Sequence, residues 1–130
     1  MNWEKMSVTI LVPMVPPSGN QMRRKYRDRF NYRDLRDAWQ RTIHALIQGN
    51  NKAWLEAMAR DNKAMEMFIT VEHMRKYDRD NLISGVKMIP DSYQRLGFLA
   101  GDDEARLKLH VDQTKGRMNE TRICVAEYMP

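Results

Sequence analysis

From Asp80 to Leu96, polar and apolar side chains each recur at helical spacing, which predicts an amphipathic helix over residues 81–95. A polar stripe consists of Asp80, Ser84, Lys87 and Asp91. An apolar stripe, displaced from it by about 200° at roughly 100° per residue, consists of Leu82, Val86, Ile89, Tyr93 and Leu96. One face of this helix is therefore expected to be buried and the other to be free for chemistry.

Pro90 interrupts the same segment. Proline lacks a backbone N–H, and its ring crowds the preceding turn, so we expect a kink between Val86 and Ile89. The kink can turn Asp91 away from the polar stripe, which makes Asp91 a weaker candidate than Asp80 or Lys87.

Alternating apolar residues predict strands at residues 6–14, 65–74, 107–111 and 121–128, with 113–119 as a hairpin loop between the last two. Two further helical patterns cover residues 33–48 and 52–61, with Gly49 and two asparagines ending the first. This order predicts an α+β fold, in which residues 1–130 form a single domain with a mixed sheet of about four strands and two to three helices.

Positive charge is concentrated in a basic arm at about residues 18–32. The chain has a net charge of +5, and residues 23–36 alone carry seven basic residues against two acidic ones, the same +5. No periodicity is found from Ser18 to Tyr32, so we expect an irregular segment whose cations meet phosphates and whose aromatic rings stack on exposed bases. A solvated surface loop is the alternative. The candidate DNA-binding cations of the arm are Arg23, Arg24, Lys25, Arg27 and Arg29.

Four carboxylates flank the central helix. Asp78 and Asp80 are two residues apart, so in an extended backbone their side chains leave from the same side, and Asp102 and Asp103 follow the helix after a glycine turn. Mg²⁺ takes oxygen ligands and leaves positions for water and phosphate, and it can generate a nucleophile for phosphodiester hydrolysis. Lys87 would relieve the repulsion among the acids or donate to the phosphate. The alternative is that these aspartates only cap helices and solvate loops.

Other kinds of site fit the composition poorly. The single cysteine, Cys124, excludes an internal disulfide and cysteine-ligated zinc, and we expect it to be a buried, inert thiol. His44, His73 and His110 are scattered and expected to be structural. A calcium loop starting at Asp78 would have isoleucine where glycine and glutamate are required. Because no apolar run approaches the ~18 residues of a membrane span and no signal-peptide pattern begins the chain, we expect a cytoplasmic protein without a membrane partner.

The ordered motif around the central helix resembles the RusA-type Holliday junction resolvases, small metal-dependent endonucleases often carried by bacteriophages and prophages. It consists of Asp78-Arg79-Asp80-Asn81-Leu82, Lys87 four residues before Asp91, Gly97-Phe98-Leu99 and Asp102-Asp103. The early Pro-Pro-Ser-Gly-Asn sequence at residues 16–20, the basic arm and the Lys115-Gly116 turn also look like the family. The resemblance therefore covers most of the chain.

The resemblance implies a RusA-like fold and a homodimer. The dimer would bind branched DNA in the form of four-way junctions and make paired symmetric nicks with Mg²⁺ or Mn²⁺. By motif position, Asp78, Asp80 and Asp103 would be metal-binding catalytic carboxylates and Lys87 the catalytic lysine. Asp102 and Asp91 are further candidate ligands.

Two departures from the family's type member bear on DNA binding. The spacing from Asn81 to Lys87 is longer, so that Ser84 stands where the type member has lysine. Tyr77 precedes Asp78 where the type member has arginine. Contacts with DNA near the site are therefore expected from other cations, namely Arg75, Lys76, Arg79 and Lys115. A non-catalytic DNA-binding accessory protein that uses the basic arm is the alternative function.

Overall fold

The elements of the fold follow the predicted order with one added helix and one divided helix. A computed structural model describes residues 6–25 and 29–130. Its elements are β1 (Ser7–Val12), α1 (Gly19–Lys25), α2 (Arg29–Leu46), α3 (Gly49–Arg60), β2 (Met65–His73), α4 (Arg79–Val86), α5 (Met88–Arg95), β3 (Leu107–Lys115) and β4 (Glu120–Glu127). The predicted fold class, a single α+β domain with a mixed four-stranded sheet, is confirmed.

The strands form one sheet in the order β1-β4-β2-β3. Strand β4 is antiparallel to both β1 and β2, whereas β3 is parallel to β2. The predicted hairpin between the last two strands is wrong, because β2 lies between β3 and β4. Residues 116–119 cross the end of β2 instead, where the Gly116 N–H donates to the His73 carbonyl at 3.0 Å.

Strand alternation buries one face of the sheet against the helices. On β2, every second residue from Met65 to His73 is buried. Side chains of α2 to α5 complete this core, and those that are buried include Trp39, Ile43, Trp54, Leu55, Leu82, Met88, Ile89 and Tyr93. The opposite face of the sheet is open, with Leu11 46% and Phe68 41% exposed. Cys124 is half-buried rather than buried, since it lies on this open face beside Phe68.

The predicted helix over residues 81–95 is divided at Lys87, so the expected kink is confirmed. Helix α4 ends at Val86 and α5 begins at Met88. Pro90 has no N–H to donate to the Val86 carbonyl, and the first helix ends there. The backbone of Lys87 remains in the right-handed helical region (φ −56°, ψ −30°), so the chain bends without reversing.

The basic arm is not irregular in the part that the structure describes. Helix α1 occupies Gly19–Lys25 and α2 begins at Arg29, so the prediction of an irregular segment is wrong for these residues. The helix begins at a reciprocal cap: the Gln21 N–H donates to Ser18 Oγ at 3.1 Å, and the Ser18 N–H donates to Gln21 Oε1 at 2.9 Å. Among the described residues, no helix is long and apolar enough to cross a bilayer.

Candidate metal and DNA site

Strand β2 and helix α4 together position the first two carboxylates. The chain leaves β2 at His73, and Asp78 occupies the N-cap position of α4 with an extended backbone (φ −60°, ψ 151°). Its side chain makes no capping hydrogen bond within the described part of the chain. Asp80 lies in the first turn of α4, and both side chains are exposed. The helix start stabilises negative charge here, and both carboxylates are left available to a cation.

The loop that carries Asp78 is fixed by a side chain from β3. Gln113 Nε2 donates to the Tyr77 carbonyl at 2.7 Å, and Gln113 Oε1 accepts the Tyr77 N–H at 3.0 Å. The same oxygen lies 2.9 Å from His73 Nε2. The Tyr77 hydroxyl donates to the Pro16 carbonyl at 3.2 Å, and partial burial of this ring raises the pKa of its hydroxyl. The backbone before Asp78 is thereby held from three sides.

Close packing holds α1 and the segment before it against α4. A Cβ on Gly85 would overlap the Pro17 carbonyl, and a Cβ on Gly19 would lie 2.9 Å from the Ser84 Cβ. Only glycine allows backbone and side-chain atoms to approach so closely at these two positions. The contact places the basic residues of α1 next to the carboxylates of α4.

A cleft of about 360 Å³ lies between α1 and the loop after β2. Its lining residues include three cations and one of the carboxylates, namely Arg24, Arg75, Lys76 and Asp78. Cations that line the same cleft as a carboxylate can hold the nonbridging oxygens of a phosphate, while the carboxylate binds a metal ion that contacts the same phosphate. The structure thus brings together residues that lie about fifty positions apart in the sequence.

The remaining candidate cations differ in their hydrogen bonds and in their positions in the fold. Arg79 donates to the Val111 carbonyl of β3 at 2.8 Å, and Arg23 donates to the Asn20 side chain. Lys115 ends β3 opposite His73, so it lies at the same end of the sheet as Asp78. Lys25 ends α1 and Arg29 begins α2, while Arg27 lies outside the described residues.

Lys87 is exposed at the junction of α4 and α5. It follows Asp80 by seven residues, which is two helical turns or about 10 Å along the axis. Asp80 and Lys87 are exposed, so the predicted polar stripe faces outward at these two residues, whereas the half-exposed Ser84 packs against Gly19 of α1. Asp91, at the start of α5, is instead engaged by Arg95 at 3.0 Å.

Asp102 and Asp103 lie at the other end of the sheet. Asp103 Oδ1 accepts the Arg106 N–H at 3.0 Å, and the Asp103 carbonyl accepts the Leu107 N–H at 2.8 Å, so this residue shapes the turn into β3. The parallel register pairs Met65 with Leu107 and His73 with Lys115. Asp103 therefore precedes the pair of strands, whereas Asp78 follows it.

This placement separates the predicted ligands within one chain. Nine-residue strands span about 26 Å at ~3.3 Å per residue, so one copy does not bring Asp103 to Asp78 and Asp80. Among the described residues, no group of three or more histidine, cysteine, aspartate or glutamate side chains is arranged to hold a metal ion. What one chain does offer is a pair of free aspartates, and one or two carboxylates with water are the usual ligand set of Mg²⁺ in phosphate-processing sites.

Sequence reasoning did not identify the residues that fix the loop before Asp78. Gln113 carries no chemistry of its own and lies in a segment predicted to be a turn, so no sequence signal distinguishes it. His73 was expected to be structural, and it is 3% exposed with its ring 4.6 Å from that of Tyr77. Comparison with protein-family models and with curated protein sequences finds no match for this chain.

Proposed function

We propose that this protein is a DNA endonuclease that uses Mg²⁺ or Mn²⁺ and resolves four-way junctions by paired, symmetric nicks. One observation carries the proposal: Asp78 shares its cleft with Arg24, Arg75 and Lys76. Cations bind a phosphodiester and carboxylates bind a divalent ion. A cleft that holds three cations and Asp78, with the exposed Asp80 in the first turn of the adjoining helix, therefore combines the two requirements of metal-assisted phosphodiester hydrolysis.

The residues of the cleft, together with Asp80 and Lys87 of the adjoining helix, have distinct tasks in this proposal. Arg24, Arg75 and Lys76 bind the backbone phosphates and orient the strand to be cut. Asp78 and Asp80 hold the metal ion, which when bound supplies an activated water and neutralises charge on the scissile phosphate. Lys87 lies on the outward face of the same helix and donates to the phosphate as negative charge builds up.

The position of Asp103 supports a homodimer. β3 is an edge strand, since its strand neighbour in the sheet is β2, and an edge strand is a ready surface for pairing with another copy. Two β3 strands aligned antiparallel about a two-fold axis would carry Asp102 and Asp103 of one copy toward the end of the sheet where the other copy holds Asp78. A two-fold dimer also matches a two-fold junction that must be cut twice.

The direct test is cleavage of a synthetic, end-labelled four-way junction. With Mg²⁺ we expect paired nicks from the wild-type protein and little cleavage of a linear duplex. We expect ~100-fold less cleavage by Asp80→Asn, since the loss of a direct metal ligand should cost no less than the loss of a residue that only orients a ligand. Asp61→Asn is the matched control, because Asp61 is exposed at the end of α3. Equal cleavage by the wild type and Asp80→Asn would refute the proposal.

A second candidate function is that of a DNA-binding accessory protein without nuclease activity. The engagement of Asp103 by its own turn favours it, because this carboxylate already accepts the Arg106 N–H and shapes the turn into β3. This alternative expects metal-independent junction binding without nicking, and loss of binding when Arg23, Arg24 and Lys25 are neutralised. In either case the RusA-type resemblance points to action on DNA in a bacterial cytoplasm, from a phage or prophage gene.

A further inference from the structure

We propose that Gln113 is a positioning residue for the metal site, since its amide fixes the peptide of Tyr77 and so sets the direction of the Asp78 side chain. This inference rests on the proposed function. It assigns a role to a β3 residue that has no charge and does not itself reach the cleft.

The Gln113 amide satisfies both polar groups of one residue. It donates to the Tyr77 carbonyl at 2.7 Å and accepts the Tyr77 N–H at 3.0 Å. The last paired residues of β2 and β3 are His73 and Lys115. The side chain of Gln113 thus acts in place of a strand and continues the hydrogen bonding of β2 four residues beyond its end.

The Tyr77 peptide leaves the Gln113 amide one orientation, because a flipped amide would set its NH₂ group against the Tyr77 N–H and its oxygen against the Tyr77 carbonyl. Because Gln113 Oε1 accepts the Tyr77 N–H, the contact of 2.9 Å from His73 Nε2 to the same oxygen requires that this nitrogen carry the proton. His73 is 3% exposed, so the penalty for such unpaired contacts is not relieved by water.

The consequence for Asp78 is a backbone fixed on both sides and a free side chain. Before it, Tyr77 is bound through its peptide to Gln113 and through its hydroxyl to the Pro16 carbonyl. After it, the Leu82 N–H donates to the Asp78 carbonyl at 2.9 Å and begins α4. The backbone that carries the carboxylate is thus held in place before a cation arrives, which lowers the cost of binding.

The test compares Mn²⁺ binding and backbone protection in Gln113→Leu and Gln113→Met, which keep the side-chain size and remove the amide. Thr114→Ala is the matched control, because Thr114 is the next residue of β3 and is exposed. We expect both Gln113 variants to bind Mn²⁺ about 10- to 100-fold more weakly, as for lost outer-shell partners of metal ligands, and to exchange the Tyr77 amide proton faster. The control should match the wild type in both measurements.

The outcomes separate this inference from the proposed function. Wild-type Mn²⁺ affinity in the Gln113 variants, together with faster exchange at Tyr77, would overturn the positioning role and leave the nuclease proposal standing. An unchanged exchange rate at Tyr77 in both variants would also overturn it. A wild-type protein that binds no Mn²⁺ would overturn both proposals.

Discussion

Gly85 of α4 lies directly against the carbonyl oxygen of Pro17, so that a Cβ at this position would overlap the oxygen. The overlap involves backbone atoms, which cannot move aside as a flexible side chain would. We therefore expect Gly85→Ala to destabilise the fold by about 3 kcal/mol, at the upper end of overpacking penalties. Chemical denaturation measures this loss in the free energy of unfolding. Ile83→Ala, on the exposed face of α4, is the control. A loss below about 1 kcal/mol would show that the segment before α1 can shift away.

The basic residues of α1 should contribute to DNA affinity through phosphate contacts. Arg24 lines the cleft beside Asp78, so Arg24→Gln should weaken junction binding and lower the slope of log affinity against log salt by about 0.9 for the lost contact. Titrations at several salt concentrations give the slope. Arg41→Gln, on an exposed part of α2 that lines a different surface, should leave it unchanged. An equal change in both variants would indicate a general charge effect.

Subunit mixing tests whether the carboxylates act across a dimer. In the proposed arrangement each site takes Asp80 from one copy and Asp103 from the other. Asp80→Asn and Asp103→Asn should each be inactive alone, but a mixed dimer holds one intact site and should nick one strand. Nicking assays after co-refolding measure this recovery. A mixture as inactive as either variant would place both residues in one chain's site, whereas an Asp103→Asn variant that is active alone would remove Asp103 from the site.

Tyr93 should make stability fall at alkaline pH. Burial, with a smaller contribution from Cys124, raises the pKa of its hydroxyl far above the usual value. The neutral form is thus required in the folded state, while the unfolded chain ionises near pH 10. Its contribution to stability is complete below about pH 10 and is lost as pH rises above that value, at roughly 1.4 kcal/mol per pH unit.

The variant Tyr93→Phe isolates this effect. No described residue bonds to the Tyr93 hydroxyl, so its removal should change stability at pH 7 by less than about 1 kcal/mol. Unfolding midpoints between about pH 8 and 11 should fall less steeply in the variant than in the wild type, given an ordinary tyrosine pKa near 10. Parallel curves would mean that another group, such as Tyr77, accounts for the alkaline loss.

Local periodicity predicted the elements of the fold well, because each signal depends on residues close in sequence. The division of the central helix follows from Pro90 alone, and β2 was placed within one residue of its observed end at His73. The reciprocal cap that begins α1 is also visible in the sequence, as a serine, Ser18, followed three residues later by Gln21. Helix α1 could thus have been predicted.

The pairing of the strands and the positions of the candidate carboxylates relative to one another could not be predicted in the same way. A short turn at Gly116 suggests a hairpin, but whether β2 enters between the two strands depends on contacts distant in sequence. The separation of Asp103 from Asp78 has the same origin, since the parallel register of β2 and β3 sends their flanking loops to opposite ends. The motif indicates which acids are candidates for the site, but whether they converge depends on the topology of the sheet.

The pairing of β1 with β4 has a consequence for synthesis of the chain. Strand β1 can pair with β4 only after residues 120–127 have been synthesised. Strand β2 likewise pairs with two strands, β3 and β4, that both follow it in the chain. Until then the apolar side of β1 has no sheet to join, so the nascent chain should gain its stability in one late step. Ribosome-bound chains that stop before β4 are therefore expected to remain sensitive to protease.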